Sequence, residues 1–187
     1  MEADWSVEIG PDLPCIDASW PGFLDLRSSP HDIDALPEPA QHPALRVALL
    51  ALNAPGSPVF TTKCDTWTLA ASEIDPVEFD AAPADAGAGF ASYIDVLDRD
   101  RTHFSSFAHC ERCVRELASR LRTFPLRSAR VDCVVRQAVF ETANGYGITL
   151  YVAACGANAT AAYTAWQSTL AATVDATMAV AVTHTGE

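Results

Sequence analysis

Between residues 90 and 155 the apolar positions change period twice, from alternation to a three-and-four spacing and back to alternation. This predicts strand, helix, then two strands. Residues 93–97 alternate, with Ile94 and Val96 on one face and Tyr93 and Asp95 on the other. Phe107, Cys110, Val114, Leu117, Leu121 and Phe124 then form one helical stripe, with Arg112, Arg115, Arg120 and Arg122 off it. Ser105 or Ser106 can cap that helix and Pro125 stops it. Asn144-Gly145, between two apolar-rich runs, predicts a two-residue type I′ hairpin turn. Folding about it sets Val139 opposite Leu150 and Val135 opposite Ala154. The other face then carries Asp132, Val134, Arg136, Ala138 and Phe140 with Thr149 and Tyr151.

The remaining chain is punctuated by proline and aspartate. Short strands are predicted at 5–9, around 15–17 and at 23–27, and residues 28–43 are irregular. A helix starting near Pro43 carries Leu45, Leu49 and Leu52, and a strand follows over 59–69. Residues 70–89, rich in Ala, Asp, Pro and Gly, read as a linker with one short turn around Val77 to Phe79. A last helix, 159 to about 173, packs through Tyr163, Trp166 and Leu170; periodicity leaves 178–184 between strand and helix end. Leu24-Asp25-Leu26 and Ile94-Asp95-Val96 each precede a helix and a Cys-containing strand, at similar intervals (25 to 64, 95 to 133). The expectation is a single α+β domain over 1–187. It holds duplicated βαβ units (20–69 and 90–141), a linker (70–89) and a strand-helix extension (146–187). Together they make a ferredoxin-like mixed or antiparallel sheet with helices on one face.

Composition adds limits. With 187 residues the chain can bury roughly 70% of its unfolded surface without staples. The first residues lack a basic, apolar leader and no run of 18 apolar residues occurs, so a soluble, cytoplasmic protein with no membrane partner is expected. In that compartment the six cysteines are expected to be free thiols. The net charge of −12 is divided unevenly: −14 over residues 1–98, +5 over 99–136 and −3 over 137–187. An acid excess of this size argues against nucleic acid as a partner. The arginine-rich segment reads as a solvated helix face that complements the acidic N-terminal half.

Three groups of residues can carry chemistry. His103, His109, Cys110 and Cys113 offer soft ligands or a dithiol. However, Cys110 falls in the apolar stripe, as a core cysteine would, and no metal or cofactor is assigned. Cys155 precedes a helix whose cap is Asn158, where capping alone explains the motif. The third group is the sheet face away from the helices, which alternation furnishes with Lys63, Asp65, Trp67, Tyr93, Asp95, Asp132, Arg136, Phe140 and Tyr151. Lys63, Asp65, Asp95 and Asp132 are the catalytic candidates, as cation or nucleophile and as bases. Arg136, Tyr93, Tyr151 and Trp67 are the ligand-binding ones. The leading expectation is a small polar or anionic ligand on this face, with or without catalysis. The alternative is an assembly protein, a homodimer meeting through the same face, and a thiol or metal protein using Cys110 and Cys113 ranks third.

Overall fold

A computed structural model describes residues 1–183. The chain is an α+β protein built on one mixed sheet of six strands. The strands are β1 (Glu2–Glu8), β2 (Ile16–Asp17), β3 (Val59–Ala70), β4 (Ala88–Asp98), β5 (Ala129–Phe140) and β6 (Ala143–Gly156). The helices are α1 (Pro37–Gln41), α2 (Pro43–Asn53), α3 (Arg101–Phe104), α4 (Phe107–Leu121) and α5 (Ala159–Thr183). No helix among the described residues is long and apolar enough to cross a membrane.

The strand order is β1-β5-β6-β4-β3, with β2 continuing β1's edge beside β5. Strands β1 and β2 run parallel to β5 and every other pair is antiparallel. Both β4 and β5 are therefore antiparallel to β6, which lies between them, so β4-α4-β5 is a split βαβ unit. The expected first unit lacks its opening strand: residues 23–27 are irregular and turn. There Asp25 accepts hydrogen bonds from the Arg27 backbone and guanidinium. With β3 antiparallel to β4 at the edge, the strand order does not clearly match a ferredoxin-like sheet.

Helices α2, α4 and α5 cover one face. Leu45, Leu49 and Leu52, Val114, Leu117 and Leu121, and Trp166, Leu170 and Val174 close on Ile94, Val131, Val135, Leu150 and Val152. The Trp166 indole donates to Ser92 Oγ at 2.9 Å, so its one polar atom is satisfied where the ring is fully buried. Helix α5 runs through Thr183 instead of ending near 173, so 178–183 is helix; His184 lies outside the described residues.

The opposite face was expected to be open, but it is covered at both ends. Ile16, Ala18, Phe60, Leu97, Phe104 and Ala138 form a small apolar cluster at one end. At the other, Ile74, Phe79 and Ala86 pack on Cys155. Residues 70–89 are thus no free linker: they form the 3-10 turns Ala71–Glu73, Pro76–Phe79 and Pro83–Asp85 before β4.

The hairpin turn also differs. Phe140 pairs with Ala143, so Glu141-Thr142 make the turn, with Glu141 at φ 56°, and Asn144-Gly145 belong to β6. Gly145 answers a different need: a Cβ there would collide with the Phe104 carbonyl and ring. Val139 faces Asn144 instead of Leu150. A slip of six residues is even, so every side chain keeps its predicted face.

Candidate functional site

Between the two covered ends the second sheet face keeps a hollow of about 430 Å³. Its floor is Lys63 and Thr62 of β3, Tyr93 and Asp95 of β4, Thr149 and Tyr151 of β6 and Arg136 of β5. Strand register explains the convergence, because Lys63 pairs with Asp95, Asp95 with Thr149 and Tyr93 with Tyr151. Its wall comes from residues 14–20, including Cys15, Asp17 and Trp20. Trp20 is fastened by its indole N–H, which donates to the Thr62 carbonyl at 3.1 Å. The β3 register shifts between Thr61 and Lys63, making Thr62 the extra residue of a bulge that turns Lys63 toward Asp95.

Asp95 is buried and accepts a 2.6 Å hydrogen bond from the Thr149 hydroxyl. Burial raises its carboxyl above the usual range, against the lowering effects of that bond and of the Arg136 and Lys63 charges. Burial, with Asp95 and Asp65 nearby, likewise pushes the Tyr93 phenol up to about 12. Arg136 is buried; its Nη2 donates to Glu8 at 2.7 Å and to the Tyr151 hydroxyl at 3.2 Å. Among the described residues, two buried side-chain polar atoms have no hydrogen-bond partner, Arg136 Nε and Thr62 Oγ1. Both belong to residues lining this hollow.

Of the residues singled out from sequence, Lys63, Tyr93, Asp95, Arg136 and Tyr151 come together here. Asp65 lies in an adjoining hollow of about 340 Å³, which shares Trp20, Thr62, Lys63 and Tyr93 with the first. Trp67 is exposed further along β3, its ring 6.3 Å from that of Tyr93. Asp132 is on the same face but is taken up by Arg130, at 2.7 and 3.1 Å. Residues 14–20, Thr62 and Glu8 were missed, since a covering segment and a bulge leave no periodic trace.

The thiols are placed as core groups. Cys110 is buried with its thiol toward the Gly147 carbonyl at 3.7 Å, and burial raises its pKa. Cys113 is pushed up to about 11 by burial and Asp98. Cys155 is buried against the 3-10 turns and also raised, while Asn158 caps α5 by accepting from Ala161 N–H at 3.0 Å. No cysteine is in a disulfide. No family model, curated protein or solved structure matches the chain.

Proposed function

We propose that the hollow on the second sheet face binds a small polar molecule bearing a carboxylate or phosphate. The reading rests on the two orphaned polar atoms. A buried donor or acceptor left unpaired costs about 1–3 kcal/mol, and here the two residues that carry such atoms, Arg136 and Thr62, both line one cavity. An anionic oxygen would pair with the Arg136 guanidinium, with the exposed Lys63 ammonium supplying a second positive charge. The volume lies within the range of about 300–1,000 Å³ usual for small-ligand sites. If the site is catalytic, Asp95 is the proton-transferring group, because its raised pKa brings the carboxyl toward neutral pH. A face that pairs with a second copy has less surface to offer, since the chain's own segments cover both ends.

The test is thermal unfolding of the wild-type chain with inorganic phosphate and a panel of small mono- and dicarboxylates. At least one is expected to raise Tm in a saturable manner, with binding lost in Lys63→Ala and weakened at least about tenfold in Arg136→Lys. The reading fails if no compound shifts Tm or if both variants bind like wild type. A dimer by light scattering that Lys63→Ala dissociates would favour the interface instead.

A further inference from the structure

On the helix side, at the end of β4 and away from the hollow, Asp98 meets His103 of α3 and His109 of α4. We propose that these three residues form a binding site for a divalent, zinc-type cation. Asp98 Oδ2 lies 3.5 Å from His103 Nδ1 and 3.3 Å from His109 Nε2, and the three donor atoms lie within 4.8 Å of one another. Those separations exceed the roughly 2.7–2.9 Å of a charge-assisted hydrogen bond. The two Asp98 separations also lie close to the edge of a tetrahedron of ligands around zinc, about 3.3–3.4 Å for bonds near 2.0–2.1 Å, while His103 serves as a hydrogen-bond partner of the Asp98 carboxylate.

The local fold aims the donors. Asp100 caps α3 by accepting from the Thr102 and His103 amides, and Ser106 caps α4 by accepting from the His109 amide. The two imidazoles stack with centroids 3.9 Å apart and planes 9° from parallel. Two imidazoles and a carboxylate are the donor set of three-ligand zinc sites that keep a fourth position open. Beside the donors lies a cavity of about 40 Å³, lined by apolar groups such as Val96, Leu117 and Ile148, large enough for one water. Cys113 Sγ is 3.3 Å from His109 Nε2 but is not one of the three converging ligands. Ligation through Nε2 puts the ring proton on His109 Nδ1, so the 3.4 Å contact from the exposed Arg112 must give way.

The test is titration of the chelator-stripped full chain with zinc chloride by calorimetry, with native mass spectrometry for stoichiometry. One equivalent is expected to bind saturably. The partly exposed His103→Ala should weaken binding by more than the about 10- to 100-fold attached even to outer-shell partners of a metal, and exposed His31→Ala should leave it unchanged. Absence of saturable binding, or binding that His103→Ala does not alter, overturns the proposal. Cobalt substitution of the wild type gives a second readout that needs no variant. An intense four- or five-coordinate spectrum without a thiolate band supports the three-ligand site, and a weak octahedral spectrum overturns it.

Discussion

Asp95 holds its proton more firmly in the folded chain than in the unfolded one, because burial outweighs the Thr149 bond and the Arg136 and Lys63 charges. Below the unfolded carboxyl range, near pH 4, both states are protonated and the group has no effect. As pH rises the unfolded chain ionises first, so stability falls until the folded pKa is passed and stays reduced above it. Asp95→Asn is therefore expected to raise Tm at pH 7, with the gain shrinking toward pH 4, as calorimetric scans across that range would show. Thiol chemistry gives a second residue-scale expectation. Ellman's reagent should react first with exposed Cys15, while the buried Cys110, Cys113, Cys133 and Cys155 react only on unfolding. Much of this was legible in the residue pattern, since alternation alone sent Lys63, Tyr93, Asp95, Arg136 and Tyr151 to one face. What alternation does not encode is partnership: Asp132 shares that face yet is taken by Arg130 two residues away on the same strand.

At the scale of elements, types were more legible than their joints. The helix from Phe107 to Leu121 and its Ser106 cap follow from spacing and capping chemistry. The hairpin does not, because Asn-Gly is a local signal and a distant contact overrides it. Gly145 is needed where α3 crosses β6, and the turn moves to Glu141-Thr142. Gly145→Ala should consequently destabilise by about 1–3 kcal/mol as an overpacking change, measurable by urea unfolding. The 70–89 stretch misled in the opposite direction. Its prolines and alanines lack period, but Ile74 and Phe79 are enough to anchor it on the sheet.

Across the whole molecule the uneven charge becomes a set of cross-chain pairs. Arg122 meets Asp4, Arg130 meets Glu78 and Arg136 meets Glu8, joining the basic segment to the acidic N-terminal half as the sequence pattern implied. The more exposed of these, Arg122 with Asp4 and Arg130 with Glu78, contribute about 0–1 kcal/mol each, too little to offset a net −12. Added sodium chloride, by screening self-repulsion, should then raise Tm, and a fall would mean that the pairs dominate. The wall of the hollow has a consequence of another kind. Strand β2 has only two residues, and the segment is held to the sheet by the buried Ile16 and Ala18 and by a few bonds such as Trp20 to Thr62. A segment with so short a strand is expected to open below the global unfolding free energy. Exchange of amide hydrogens over residues 14–20 should accordingly be fast in the empty protein and slow once the hollow is filled. On the proposed reading the segment stands at the mouth of the site, so a stitch that tightened it would lengthen a ligand's residence while slowing its capture.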